Sequence, residues 1–74
     1  MQSNVTMKVL LTHNFIKVYF DNLNTAQHKL LDAVLADAPC NVAIEADGYI
    51  CKAKQDKLYK VLYILSNSFS IELI

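Results

Sequence analysis

Residues 41–54 read NVAIEADGYICKAK, two short alternating segments on either side of the dipeptide Asp47-Gly48. Aspartate followed by glycine in this setting is among the strongest local signals for a two-residue β-hairpin. The pairing that this turn predicts is Ala46 with Tyr49, Ile44 with Cys51 and Val42 with Ala53. We therefore expect Gly48 to hold a positive φ, which alanine adopts only at a steric cost.

A weaker copy of this arrangement occurs earlier, where residues 5–20 alternate around His13-Asn14. Asn14 tolerates the positive φ that a primed turn requires. The predicted pairs on the apolar face are Leu11 with Ile16, Val9 with Val18 and Met7 with Phe20. The other face is mixed, as expected of an antiparallel pair that is buried on one side only.

Each predicted hairpin runs into a segment with helical periodicity. Asn24 is the best N-cap of the first segment, with Gln27 placed to complete a capping box, and Pro39 ends it, so a helix is predicted over residues 25–37. Asp56 is the predicted cap of a second helix that runs to about Leu65. Its predicted core stripe is Leu58, Val61, Leu62 and Leu65, and Tyr59, Tyr63 and Ile64 widen the apolar arc.

The tail, residues 69–74, alternates as a last strand, which gives the order ββαββαβ. This order predicts one small α+β domain over residues 1–74. Its expected architecture is a two-layer sandwich, an antiparallel sheet of four to five strands with two helices on one face. Hydrophobic residues make up 54% of the 74 residues, more than so small a core is expected to cover. A homodimer is the simplest outlet for the surplus.

The expected compartment is a reducing cytoplasm, or the host cytoplasm if the gene is viral. The N-terminal residues lack the basic start and apolar run of a signal peptide, and two cysteines do not make a disulfide framework. No apolar stretch reaches the roughly 20 residues that span a bilayer, so no membrane partner is expected.

Residue types that carry chemistry are few and scattered. The soft metal ligands are His13, His28, Cys40 and Cys51, each alone on a different predicted element, so no metal site is predicted. The single glycine leaves no phosphate-binding loop. We therefore expect no catalytic residues, no cofactor and no enzymatic activity. A cleft built between two copies of the chain is the remaining enzymatic alternative.

The sequence gives more information about binding surfaces than about catalytic or metal sites. If both helices cover one sheet face, apolar groups on the other face are left exposed among lysines. A second group of four lysines falls within nine residues, 52–60, where the second hairpin leads into the second helix. The predicted partner-binding residues are Leu10, Phe15, Lys17, Tyr19, Ile50, Lys52, Lys54, Lys57 and Lys60.

These surfaces favour a protein partner over nucleic acid, because the net charge is zero and all seven basic residues are lysines. The expected function is that of a small interaction or regulatory protein acting by stoichiometric binding. A phage or mobile-element accessory protein that inhibits a host factor is one such protein. The alternative is a small nucleic-acid-binding regulator that uses the lysine patch and the sheet aromatics.

Overall fold

Five strands and two helices make up the protein in the computed structural model, which describes residues 6–74. Along the chain they are β1 (Thr6–Leu11), β2 (Phe15–Tyr19), α1 (Thr25–Ala36), β3 (Asn41–Ile44), β4 (Gly48–Lys52), α2 (Gln55–Ser68) and β5 (Ser70–Leu73). This order confirms the predicted ββαββαβ succession and the α+β class. Val5, the first residue of the first predicted hairpin, lies outside the described residues.

The strands form one sheet in the order β3-β4-β2-β1-β5. Three of the four pairings are antiparallel, but β5 pairs parallel with β1, so the sheet is mixed rather than wholly antiparallel as expected. The direction of β5 follows from the path of the chain after β4. Both β4 and β1 are antiparallel to β2, so these two strands run in the same direction. Helix α2 provides the long crossover after which β5 runs in that direction too, parallel to β1.

The first hairpin has the predicted register, with Val9 opposite Val18 and Leu11 opposite Ile16. Its turn closes differently, because no described residue has a positive φ. The Thr12 hydroxyl oxygen instead accepts hydrogen bonds from the backbone N–H groups of Asn14 (3.2 Å) and Phe15 (3.0 Å). The Thr12 side chain therefore closes the turn, which was expected to be closed by Asn14 with a positive φ.

The second hairpin is displaced by two residues from the predicted register. Ile44 pairs with Tyr49 and Val42 with Cys51, and the Glu45 N–H donates to the Gly48 carbonyl at 2.8 Å. The predicted two-residue turn at Asp47-Gly48 is therefore wrong. Because side chains alternate with a period of two, this shift keeps every residue on its predicted face, and the alternating pattern cannot distinguish the two registers.

Gly48 is needed for space rather than for an unusual backbone angle. Its φ is not positive, contrary to the expectation from the turn. Gly48 begins β4 opposite Tyr19, and a Cβ atom placed on it would lie 2.3 Å from the Val18 carbonyl oxygen. The backbones of β2 and β4 thus approach each other at a point where no side chain fits.

The capping box predicted for α1 is present. The Gln27 N–H donates to the Asn24 side chain at 2.8 Å, and the Asn24 N–H donates to the Gln27 side chain at 2.9 Å. The predicted cap of α2 is wrong, because Lys54 occupies the N-cap position without a side-chain hydrogen bond. Asp56 lies instead in the first turn of α2, where its negative charge favours the helix dipole.

Both helices pack on one face of the sheet and share a single apolar core with it. Leu31 and Leu35 of α1 and the predicted stripe of α2 supply the helix side. Nothing charged is buried among residues 6–74. The buried core residues are Met7, Val9, Ile16, Val18, Leu31, Leu35, Tyr49, Cys51, Leu58, Val61 and Leu65. Neither described helix is long and apolar enough to cross a membrane.

We predict that Gly48→Ala destabilises the protein by about 1–3 kcal/mol, the usual cost of forcing extra atoms into a packed site. The new Cβ must displace the Val18 carbonyl and with it the β2–β4 ladder. Chemical denaturation followed by circular dichroism measures the effect. Ala46→Ser, in the exposed loop that precedes Gly48, is the control and should stay within about 0.5 kcal/mol of wild type. A Gly48→Ala variant as stable as this control would contradict the close approach.

Candidate functional site

The sheet face away from the helices, here called the outer face, carries the residues predicted to bind a partner. Leu10, Phe15 and Tyr19 are half-buried there, and Ile50 is only 9% exposed. The expectation that these four groups stand exposed in the monomer is therefore wrong. Strand pairing explains why, since Lys17 lies in register with both Leu10 and Ile50, and long neighbouring side chains cover one another.

Lys17 is held by two carboxylates of the β3–β4 loop. Its Nζ lies 2.9 Å from Glu45 Oε1 and 2.9 Å from Asp47 Oδ1, and the side chain is 15% exposed. These hydrogen bonds raise the pKa of Lys17 well above its usual range, and the bond from Lys17 lowers the pKa of Asp47. Nζ also lies 4.8 Å from the centre of the Tyr19 ring. The charge of Lys17 is thus compensated within the protein.

The other four predicted lysines follow one another where β4 leads into α2. Lys52 ends β4, Lys54 occupies the N-cap of α2, and Lys57 and Lys60 lie in the first half of that helix. Lys57 is half-buried and the other three are exposed. None of the ion pairs in residues 6–74 involves these lysines, so they form a basic corner facing solvent.

A polar cluster that the sequence did not reveal joins α1 to β4. The Tyr49 hydroxyl donates a hydrogen bond to Asp32 Oδ1 and lies 3.0 Å from His28 Nε2. His28 and Asp32 are one helical turn apart, with 3.7 Å between Nε2 and Oδ1. Phe20 packs against both rings, with its centre 4.7 Å from that of His28 and 5.1 Å from that of Tyr49.

The hydrogen bonds of this cluster hold α1 against β4. The hydrogen bond to Asp32, with burial, raises the pKa of Tyr49 to about 12, so the phenol keeps its proton at neutral pH. A protonated phenol is a hydrogen-bond donor and not a base. The spacing of His28 and Asp32 on one helix face was the available signal, but only the tertiary fold brings Tyr49 to them.

Cys40, just before β3, and Cys51 of β4 interact through their side chains, and both are free. Burial raises the pKa of Cys51 to about 12, and burial also raises the pKa of Cys40. The thiolate is the nucleophilic form, so neither thiol is activated for attack. No group of three or more histidine, cysteine, aspartate or glutamate side chains gathers as a metal site in the described chain.

Most of the exposed apolar surface lies at the two edges of the sheet, beside β5 and beside β3. At the β5 edge, Tyr59 and Tyr63 of α2 are 54% and 68% exposed. They border the α2–β5 groove, a depression of about 360 Å³ lined by Tyr59, Leu62, Tyr63, Ser66, Ile71 and Leu73. The predicted widening of the α2 apolar arc by these tyrosines is confirmed.

The opposite edge has a smaller depression, the α1–β3 groove. Its volume is about 220 Å³, and its lining residues are Asp32, Leu35, Ala36, Val42, Ile44 and Tyr49. Val42 and Ile44 point to the helix side of the sheet but lie beyond the reach of α1, and they are 41% and 78% exposed. Sequence patterning assigned both residues to the correct face and gave no sign that the face is uncovered at this edge.

Comparison with known proteins adds no relative, since no protein-family model, curated protein or solved structure matches this chain.

We predict that Tyr49→Phe destabilises the protein by about 1 kcal/mol, because the ring stays packed while the hydrogen bonds to Asp32 and His28 are lost. Urea denaturation of both proteins measures the difference. Tyr63→Phe removes a hydroxyl from an exposed ring and should leave stability unchanged. Equal stability of Tyr49→Phe and wild type would show that the cluster does not fasten α1 to the sheet.

A second prediction concerns the stability of the folded protein at low pH. The pKa of Asp47 is lowered in the folded protein from an ordinary value of 3.8, so its pairing with Lys17 stabilises the fold above that pH and is lost as pH falls through the folded pKa. Lys17→Met should therefore reduce stability at neutral pH and lose part of the acid sensitivity of wild type. Denaturant titrations across the acid range test this. Lys52→Met, which removes a lysine that has no ion pair within residues 6–74, should keep the wild-type profile.

Proposed function

We propose that this protein acts by stoichiometric binding of another protein, and that an extended segment of the partner adds to β5 as a further strand and fills the α2–β5 groove. The single observation that carries the proposal is the pair of exposed tyrosines, Tyr59 and Tyr63, beside a strand edge that no other strand of residues 6–74 covers. Such a binder has the form of a small regulator or inhibitor in the cytoplasm of a cell or of an infected host.

The backbone of β5 supports strand addition. The sheet order gives β5 a neighbour, β1, on one side only, so in residues 6–74 its other side has no strand to accept or donate ladder hydrogen bonds. An extended peptide that pairs there gains main-chain hydrogen bonds whatever its sequence. Affinity at this edge thus depends on backbone geometry, and selectivity depends on the side chains around it.

The groove provides that selectivity. Ile71 and Leu73 lie on the helix side of β5, and Tyr59 and Tyr63 lie above them on α2. Every second side chain of an added strand would point into this space. Tyrosine offers a large, rigid surface with a hydrogen-bonding tip and is enriched at binding hot spots. The expected ligand is therefore a segment with apolar residues at alternate positions.

The nucleic-acid alternative draws less support from the geometry. Stacking of bases needs exposed aromatic faces beside uncompensated positive charge. On the outer face, Phe15 and Tyr19 are half-buried, and Lys17 is paired with two carboxylates. The basic corner from Lys52 to Lys60 is the remaining feature in favour of nucleic acid, and the net charge of the chain is zero.

Selection from a library of linear peptides tests the proposal, because it requires no knowledge of the natural partner. We expect enriched peptides with alternating apolar residues, and changes in the amide NMR signals of Ser70–Leu73 when such a peptide is added. Tyr63→Lys should weaken binding by at least about 30-fold, the effect of losing a hot spot of 2 kcal/mol.

Ile44→Lys places the same charge at the opposite edge and is the matched control, which should leave peptide affinity unchanged. Signals that move on β3 or on the outer face instead of β5 would contradict the assigned groove. Retention on heparin with a steep salt dependence, lost on replacing Lys54 and Lys60, would favour the nucleic-acid alternative.

A further inference from the structure

Strand β3 is a short edge strand, and within residues 6–74 it lacks the charged side chains and proline that often prevent edges from pairing. It consists of Asn41, Val42, Ala43 and Ile44, all exposed, with no charge and no proline. Natural edge strands are usually protected by lysine, proline, a bulge or a covering helix. Here α1 stops short of the strand, and Ile44 is 78% exposed on the helix side.

Three carboxylates flank this edge, and each is held within the chain. Asp32, which lines the α1–β3 groove, accepts a hydrogen bond from the Tyr49 hydroxyl. Glu45 follows β3 directly and would be the natural protective charge, but its carboxylate is held by Lys17 at 2.9 Å. Asp47 is held by the same ammonium group. The Lys17 ammonium offsets one of the two carboxylate charges of this loop, which lowers but does not remove the repulsion between two like copies of the edge.

We propose that β3 pairs antiparallel with β3 of a second copy of this chain about a two-fold axis at Ala43. The two sheets would become one, and the helices of both copies would lie on the same side of it. This interface is separate from the α2–β5 groove and does not depend on the function proposed for that groove.

Self-complementarity of the strand fixes the register. With Ala43 opposite its own copy, Val42 faces Ile44 of the partner copy on the helix side, and Ile44 faces the partner's Val42. Asn41 then lies opposite the partner's Glu45 on the outer side. A two-fold pairing keeps both helix layers on one face, so apolar residues meet apolar residues and polar residues meet polar residues.

Side chains of the second copy would fill the α1–β3 groove, which lies beside β3. The α1–β3 groove of about 220 Å³ is bounded by Leu35 and Ala36 on the helix and by Val42 and Ile44 on the strand. In the two-fold pair it opens toward the partner's Ile44 and Val42. Side chains that face water in the single chain would then lie between two helix layers, which removes apolar area from solvent.

The area required is modest. A specific interface buries at least about 1,000 Å² in total, or about 500 Å² from each copy. That is roughly one-tenth of the 4776 Å² surface of this protein. The four exposed residues of β3 and the α1 flank of the groove would supply this area, and the backbone hydrogen bonds of the strand add to the pairing.

Sedimentation equilibrium at micromolar concentration tests the pairing. We expect twice the 8.4 kDa mass of one chain for wild type and a single-chain mass for Ile44→Lys, which introduces two charges into the interface. Circular dichroism shows whether the variant keeps its fold, as its exposed position predicts. Tyr63→Lys, at a position 68% exposed on the opposite edge, should remain a dimer. A monomeric wild type, or a dimer disrupted by Tyr63→Lys and not by Ile44→Lys, would overturn the proposal.

Cross-linking tests the register. In a Cys40→Ser background, Ala43→Cys places two thiols opposite each other at the axis, and mild oxidation should give a covalent dimer. Asn41→Cys places them four residues apart along the strand, about 13 Å, too far for a disulfide. A covalent dimer from Asn41→Cys and none from Ala43→Cys would refute the register.

Discussion

The pairing of β2 with β4 joins two hairpins into one sheet, and the core, both helices and both edges depend on it. Five residue pairs make up this ladder, from Phe15 with Lys52 to Tyr19 with Gly48. At the last pair, the backbone of Gly48 lies close to the Val18 carbonyl. Just beyond this pair, the Phe20 N–H donates to the Asp47 carbonyl at 3.1 Å. Lys17 fastens the same end through Glu45 and Asp47. One end of the ladder thus combines steric fit, backbone hydrogen bonds and ion pairs.

Local patterns predicted much of this fold. Alternation identified the first hairpin and its register, and the capping residues of α1 were read from their spacing. The register of the second hairpin was not predicted correctly, because a shift of two residues keeps every side chain on the same face of the sheet. The hydrophobic pattern therefore carries no information about this register. The parallel position of β5 also escaped, since its partner β1 lies near the other end of the described chain.

The binding surfaces were predicted only in part, and for the same physical reason. Tyr59 and Tyr63 followed from helical periodicity, because exposure on a helix is a local property. The burial of Ile50 and the compensation of Lys17 depend on contacts between distant strands, so the outer face was expected to be more open than it is. Tyr49 illustrates this further, since its partners His28 and Asp32 belong to an element on the other side of the core.

The strand ladder also implies an order of assembly. Both hairpins close over short loops, whereas the β1–β5 pairing brings Thr6 to Ser70 and has the largest chain entropy to overcome. Contacts of such long sequence separation form late, and an edge strand held by one neighbour is among the first to open locally. The β5 edge would then exchange its backbone protons early. Strand addition there would slow this exchange, so the rim of the sheet that forms last would gain the most protection from a partner.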